Sequence, residues 1–320
     1  MDKIKVSAII VTKDRNNDLK ETILSLINQE GIYTNFDIEF FIVDNSIEKN
    51  FVLNTKLLKE LKLNKDDINI TIIRPTKNIG AGPGYFLAHQ YIKSDFTLKS
   101  DDDVIYKSDY IKTLIKYMKK DKSIGAISGL VYYNSFPNKI WYSGGKFIKP
   151  IVYTKPLSKR EIIKKDFIVL DDLVSCAMLI RNQYLKNVGG FDKDFFVYKD
   201  DTSLCYRLSK NGYKLLLITD SYVFHKVPYP KRITPFSVYF DTYNRFIFSK
   251  KYHSFNEKLL FIPYMILFYL PIKTTLSLKL PEKKNIIKNL FKSCFQGLGC
   301  LFNNQNHKNI NDFEHKIIKL

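Results

Sequence analysis

Three consecutive acids, Asp101-Asp102-Asp103, follow the short stretch Phe96 to Lys99. Adjacent carboxylates repel one another and require a counter-charge. In an extended segment Asp101 and Asp103 project to one side and Asp102 to the other. Two carboxylates on one side, beyond a strand, suit Mg2+ or Mn2+ beside a diphosphate; the structural alternative is an acidic surface turn. A second acidic pair, Asp200-Asp201, follows the aromatic run Phe195-Phe196-Val197-Tyr198-Lys199 and precedes Leu204, Arg207 and Leu208 at helical spacing. Acids there either cap a helix N-terminus or present a general base to a substrate hydroxyl. His225 ends the apolar triplet Tyr222-Val223-Phe224. A lone histidine at a strand end is either a packed residue or a metal ligand. Trp141, the sole tryptophan, precedes Tyr142-Ser143-Gly144-Gly145 and is a core residue or a stacking surface for a sugar ring.

The elements that must position these residues are legible as alternating strands and helices. Val6 to Thr12 is a near-continuous β-branched run, as in a central parallel strand. Leu19, Ile23, Leu26 and Ile27 recur at helical spacing. Phe36 to Val43 predicts a second strand closed by Asp44, residues 51–64 a helix, and Ile70 to Ile73 a third strand. Phe86 to Ile92 predicts a helix, and Phe96 to Lys99 a strand leading into the acidic triplet. The expected class is α/β, a mostly parallel sheet flanked by helices. Ligands in such sheets sit beyond the carboxyl ends of the strands, where Asp44 and Asp101–Asp103 fall. Farther on, Gly125 to Tyr133, Ile140 to Phe147 and Leu173 to Ile180 read as shorter strands, and 150–170 as a loop or small excursion. Asp201 to Leu208 reads as a helix and Tyr222 to Phe224 as a last strand.

Composition narrows the class. The chain has 320 residues, 45% hydrophobic and 14% aromatic, so a large core is accessible and global disorder is excluded. Its net charge of +19 favours anionic partners: nucleic acid, anionic lipid or phosphorylated small molecules. The four cysteines form no C-x-x-C pair, which speaks against zinc and fits a reducing compartment. The first apolar stretch is short for a leader peptide and reads as a buried strand, so the expected location is cytoplasmic, on the inner face of the cell membrane. From about Phe236 the pattern changes. Phe261 to Leu278 is apolar but interrupted by Pro263, Pro271 and Lys273, which suits a surface-lying or buried helix better than a span. Lys279, Lys283, Lys284, Lys288 and Lys292 then interleave with Ile286, Ile287, Leu290 and Phe291, a pattern suited to an anionic bilayer surface or to a helical cap on the domain. The expected division is 1–235 for the sheet domain and 236–320 for a helical, basic-apolar region.

The motifs in order are Thr12-Lys13-Asp14-Arg15, Val43-Asp44-Asn45, Asn78-Ile79-Gly80, Asp101-Asp102-Asp103, Gly189-Gly190-Phe191-Asp192, Asp200-Asp201, His225 and Tyr243-Asn244-Arg245. Together, over about residues 4–248, they resemble the family 2 inverting glycosyltransferases of GT-A fold. The likeness is greatest to galactofuranosyl- and rhamnosyltransferases of bacterial cell-surface polysaccharide synthesis, such as capsule and O-antigen. In the polymerising galactofuranosyltransferases the outer acids of a D-D-D motif and a downstream histidine hold the metal. The base there is the second acid of a W-D-D motif, 24 residues before that histidine, the interval separating Asp201 from His225 here. Lys199 stands where the relatives often carry tryptophan, and Asn78 to Gly84 is a variant of their N-x-G-x-x-G segment.

The resemblance implies a nucleotide-binding half and an acceptor half. Asp101, Asp103 and His225 would hold Mn2+ or Mg2+, and Asp201 would be the base. Thr12, Arg15, Asp44, Asn78 and Asp102 would bind a UDP- or dTDP-sugar donor. Asp200 and Trp141 would serve an acceptor glycan, free or linked to a polyprenyl diphosphate. Galactofuranose or rhamnose is the favoured sugar, a hexopyranose the alternative, and self-association is compatible with the pattern. A polyanion- or nucleic-acid-binding protein is the rival from another class. The basic residues are dispersed, however, and no nucleic-acid motif is present. A nucleotidyltransferase is the rival among enzymes. Its glycine-rich loop after the first strand is missing from Thr12-Lys13-Asp14-Arg15-Asn16-Asn17.

Overall fold

The computed structural model describes residues 3–46, 69–163, 165–230, 232–302 and 314–319. The helix expected over 51–64 lies outside them. Strand β1 (Ile4–Thr12) pairs in parallel with β2 (Phe36–Asp44) and β4 (Phe96–Ser100), and β2 pairs in parallel with β3 (Asn69–Pro75). These strands are covered on both faces. Val6, Ala8 and Ile10 pack with helix α1 (Asn16–Ile27) on one side, and Ile9, Val43 and Ile73 pack with α2 (Ala81–His89) on the other. Two-sided burial explains why β1 reads as an unbroken apolar run rather than an alternating one.

Beyond β4 the sheet becomes mixed. β5 (Val104–Tyr106) follows the acidic triplet, and α3 (Tyr110–Lys120) leads to β6 (Ile124–Tyr133) and its antiparallel partner β7 (Phe136–Tyr142). The stretch expected as one strand over Ile140 to Phe147 is broken by Ser143-Gly144, where Gly144 has φ 70° and β8 (Gly145–Ile148) starts a separate hairpin with β9 (Tyr153–Pro156). Of the two readings for 150–170, loop or small excursion, the structure has the excursion: after β9 come the short α4 (Lys159–Ile162) and β10 (Phe167–Leu170), which joins the main sheet. β11 (Ala177–Arg181) lies antiparallel between β4 and β6, and α5 (Asn182–Asn187) follows it.

Helix α6 (Asp200–Lys210) packs Leu204 and Leu208 under the sheet. β12 (Lys214–His225) is longer than the expected Tyr222 to Phe224, with its register broken between Ile218 and Tyr222. The C-terminal helices are α7 (Pro235–Tyr252), α8 (Phe255–Tyr264), a π-helical turn (Met265–Tyr269), α9 (Leu270–Ser277) and α10 (Lys283–Phe302). They share an apolar cluster that includes Phe246, Phe248, Phe261, Met265 and Leu290. The chain then returns: β13 (His315–Lys319) pairs antiparallel with β3. So β12 is not the last strand, and the region after 235 is not wholly helical.

Candidate active site

Three strands, β1, β4 and β12, run the same way and present their carboxyl ends together, and the start of α6 supplies a fourth group. Thr12 closes β1, Asp101–Asp103 lie between β4 and β5, His225 closes β12, and Asp200-Asp201 open α6. Pairing brings two of them together: β5 runs antiparallel to β12 with Val104 opposite His225. This register places the imidazole beside Asp103, and Lys226 N donates to the Asp103 carbonyl at 3.0 Å.

His225 Nε2 lies 2.8 Å from Asp103 Oδ1 and 3.8 Å from Asp101 Oδ2. Asp101, Asp103 and His225 each offer one ligand atom within 4.8 Å of the others. Two carboxylates and an imidazole form a donor set suited to Mn2+ or Mg2+. Asp103 and His225 are buried, whereas the Asp101 side chain is 39% exposed, so the cluster opens on that side. Burial opposes charge on both partners. It is overcome by their mutual hydrogen bond and attraction, which hold the Asp103 carboxyl below its ordinary value and the His225 imidazolium above its own.

The donor-side residues fall around the same cluster. Arg15 Nη1 reaches Asp103 Oδ2 at 2.8 Å and Asp102 Oδ1 at 3.3 Å. Thr12 Oγ1 donates to Asp102 Oδ2 at 2.6 Å. Burial nevertheless pushes the Asp102 carboxyl up to about 7, against the pull of Thr12 and Arg15. Asp44 lies opposite Thr12 in the β1–β2 register, fully buried, accepts from Ser46 N at 3.1 Å and pairs with Arg74 at 3.8 Å. The exposed Asn78 accepts from Gly80 N at 3.0 Å, folding its own turn. The expected helix Phe86 to Ile92 begins earlier, at Ala81, because Gly80 at φ 89° turns the chain straight into it. A Cβ on Gly82 would meet the carbonyl oxygen of Phe195 at 2.2 Å. The small residue thus lets α2 lie against the aromatic run before Asp200.

Asp201 is partly buried. Its Oδ2 accepts from Ser175 Oγ at 3.4 Å and its Oδ1 from Thr202 N at 2.8 Å. Burial, and next the neighbouring Asp200, raise its carboxyl above the usual range, while Lys99 and Lys199 pull the other way. Asp200 turns inward and pairs with Lys99 Nζ at 3.2 Å. Lys99 is a buried cation in the middle of β4. It donates to Ser175 Oγ at 2.7 Å and sits 4.0 Å from the centre of the Tyr85 ring. Tyr85 in turn donates to Asp101 Oδ1 at 3.2 Å. Asp101, Tyr85, Lys99 and Asp200 thus form a continuous link between the two acidic clusters. Asp172 is a further buried carboxyl behind Asp201, pushed up to about 7 by burial and by Asp201.

Trp141 packs edge-on against His225, ring centres 4.5 Å apart. Beyond it a cleft of about 430 Å³ is lined by Tyr133, Lys139, Trp141, Tyr142 and Tyr229 among others. Tyr142 faces the other acids: burial, then Asp172 and Asp201, push its hydroxyl pKa well up.

The turn before Asp200 is unusual. Tyr198 and Lys199 have φ of 65° and 64°, a left-handed conformation that non-glycine residues rarely take. Two contacts hold it. Asn244 Nδ2 donates to the Val197 and Tyr198 carbonyls at 2.6 and 2.9 Å, and Lys199 pairs with Asp241 at 3.1 Å. Sequence reasoning missed Lys99, Tyr85, Ser175, Asp172 and Asp241. Asn244 lay in a noted motif without a role.

The family description "Glycosyl transferase family 2" matches residues 7–189, more than half of the 320 residues. The chain belongs to glycosyl transferase family 2. Within this family it is 30% identical over 165 residues to rhamnosyltransferase WbbL of Escherichia coli (strain K12), a match covering 47% of this chain and 61% of that relative. Among solved structures, GalNAc-T7 with UDP, GalNAc and Mn2+ superposes with TM-score 0.62 at 15% identity, covering 92% of this chain and 55% of that one. Mannosyltransferase PcManGT from Pyrobaculum calidifontis with GDP-Man and Mn2+ gives 0.59 at 14%, covering 93% and 88%. At such identities these likenesses speak for the fold, which is the GT-A glycosyltransferase fold.

Proposed function

We propose that this enzyme transfers a sugar, with inversion, from a nucleoside diphosphate to a hydroxyl of a glycan in cell-surface polysaccharide synthesis. The acceptor glycan is free or lipid-linked. The observation that carries the reading is the convergence of Asp101, Asp103 and His225 within 4.8 Å, linked through Tyr85 and Lys99 to the acids that open α6. Those three residues would hold a divalent cation, Mn2+ or Mg2+, which when bound relieves the negative charge growing on the leaving diphosphate. Arg15 and Thr12 fix Asp102 toward the donor side, and Asp44, with Asn78 on the neighbouring turn, bounds the nucleotide pocket.

Asp201 accepts the proton of the attacking hydroxyl; its raised carboxyl is the better base for that step near neutral pH. Asp200, held by Lys99, orients Asp201 rather than reaching the acceptor. The aromatic cleft beyond Trp141 takes the acceptor glycan, whose apolar ring faces suit Tyr133, Trp141 and Tyr229. The likeness to rhamnosyltransferase WbbL supports a deoxyhexose donor, with galactofuranose next and a hexopyranose the alternative.

The test is a donor screen with dTDP-rhamnose, UDP-galactofuranose and UDP-hexopyranoses. It reads release of nucleoside diphosphate together with thermal shift. Release of a nucleoside diphosphate from one donor is expected. Pyrophosphate as the product would overturn the reading in favour of nucleotidyl transfer.

A further inference from the structure

The C-terminal helices leave a large apolar face without a partner. Phe255–Ser277, 23 residues spanning α8, the π-helical turn and α9, is the one stretch among the described residues long and apolar enough to cross a membrane, yet only 17% of its apolar 18-residue window is buried. Its buried stripe is narrow: Phe261, Met265 and Tyr269, at i, i+4 and i+8, pack into the cluster with Phe246 and Leu290. The same stretch exposes Leu260, Leu267, Phe268, Ile272 and Leu276, with Leu267 at 65%. Helix α10 repeats the division. Ile286, Leu290, Cys294 and Gly297 face inward. Lys284, Lys288, Phe291 and Phe295, which share one helical face, point out, and Phe295 is 80% exposed.

We infer that this face is a docking surface for an anionic lipid leaflet, with the α8–α9 stretch lying in the plane of the interface rather than crossing it. Charge complementarity selects the occupant. Lys279, Lys283, Lys284, Lys288 and Lys292 are exposed beside the apolar side chains, and Glu282 is the one acid between residues 279 and 292. An apolar face rimmed by lysines matches anionic headgroups over acyl chains. The same rim disfavours a second copy of this chain, because a two-fold pair would set lysines against lysines. A span is disfavoured because the inner stripe is anchored. Tyr269 Oη lies 3.0 Å from Thr242 Oγ1 and 3.3 Å from Asp241 Oδ2, so the helix cannot leave the domain without breaking these contacts.

The anchor also sets the face near the chemistry. Asp241 is the partner of Lys199, which immediately precedes Asp200. Docking through this face therefore holds the base-bearing turn close to the bilayer, where a lipid-linked acceptor would be delivered.

Flotation of the full chain with phosphatidylglycerol/phosphatidylcholine vesicles, against pure phosphatidylcholine, tests the inference. Binding to the anionic vesicles is expected, at least about tenfold tighter than to the neutral ones and weakened by salt. Replacing all five lysines by Gln should reduce partitioning by roughly fivefold per lysine that reaches the surface. The set Leu260→Ser, Leu267→Ser, Phe268→Ser and Phe295→Ser should abolish it, with circular dichroism unchanged because these side chains are exposed. Failure of the wild type to float, or equal flotation of the apolar set, would overturn the inference. So would light scattering that finds a dimer dispersed by the apolar set with no vesicle binding. Nucleoside diphosphate release from the donor, with a soluble acceptor present, is read separately, so loss of vesicle binding and loss of transfer are distinguishable.

Discussion

Asn244 on α7 donates to the carbonyl of Tyr198 at 2.9 Å, across 46 positions of sequence, and so clamps the turn that launches Asp200 and Asp201. Two successive left-handed residues in that turn cost about 1–3 kcal/mol each unless the surroundings hold them. Asn244→Leu should therefore let the turn relax and move the carboxylate of Asp201. A displacement near 1 Å can reduce turnover by about 10²-fold. The expected signature is a fall in kcat of roughly 10- to 10²-fold with donor affinity unchanged, read by steady-state kinetics and by calorimetry with the nucleoside diphosphate. Equal loss of both would point to general unfolding instead.

Asp201→Asn keeps shape and removes the base. General-base catalysis supplies about 10²–10⁴-fold, so transfer should drop at least about 10²-fold while the thermal midpoint stays near that of the wild type. Full activity would take Asp201 out of the base role.

The pH profile has a defined sign. A base whose pKa is raised is protonated, and therefore idle, at pH values where an ordinary carboxylate would still be charged. Burial and Asp200 raise Asp201, so kcat/KM measured with saturating metal should decline on the acid side above the usual carboxylate range near 4. An acid limb at or below that range would contradict the environment described for Asp201.

Lys99 and Asp200 form an ion pair at 3.2 Å with both side chains almost fully buried. Removing one partner of such a pair strands the other and costs about 3–5 kcal/mol, whereas removing both is far milder. In urea unfolding, Lys99→Met should lose about that much, and Lys99→Met with Asp200→Asn should recover a large part. Additive losses would show that the pair is not coupled.

Metal binding can be read without catalysis. Mn2+ titration followed by electron paramagnetic resonance should show one site that weakens by at least about 10-fold in Asp101→Asn or His225→Gln, given that even outer-shell changes cost about 10–100-fold. Chelation should abolish transfer, and Mn2+ or Mg2+ should restore it. Transfer that survives chelation would dismiss the site.

The residues that meet at the candidate cation site lie at or just beyond the carboxyl ends of β4 and β12, and such ends converge in a sheet of this kind. Asp101 and Asp103 were paired by their spacing after a strand, whereas His225 joined them only through the resemblance to the galactofuranosyltransferases. Lys99 was hidden because its meaning lies in Asp200, far along the chain, and nothing local marks a strand lysine as an internal counter-ion. Asn244 was visible as part of Tyr243-Asn244-Arg245 but silent, since its partners are backbone carbonyls that any sequence could offer. The hairpin of β8 and β9 and the strand β10 were obscured by their Lys- and Pro-rich composition, which resembles a loop when no neighbour is known. β13 was missed for the same reason: Ile317 and Ile318 alone do not announce a strand until β3 supplies its ladder.

That returning strand has a consequence for how the molecule is made. Tyr91 and His315 meet at 2.8 Å although 224 positions separate them, and β13 covers the outer edge of β3. During synthesis β3 must wait, its backbone donors and acceptors open to any passing extended peptide, until that much later segment has left the ribosome. Pairings of such long reach form slowly and leave edges open to promiscuous strand addition. The newborn chain is thus most prone to self-association in the interval before its own far segment arrives.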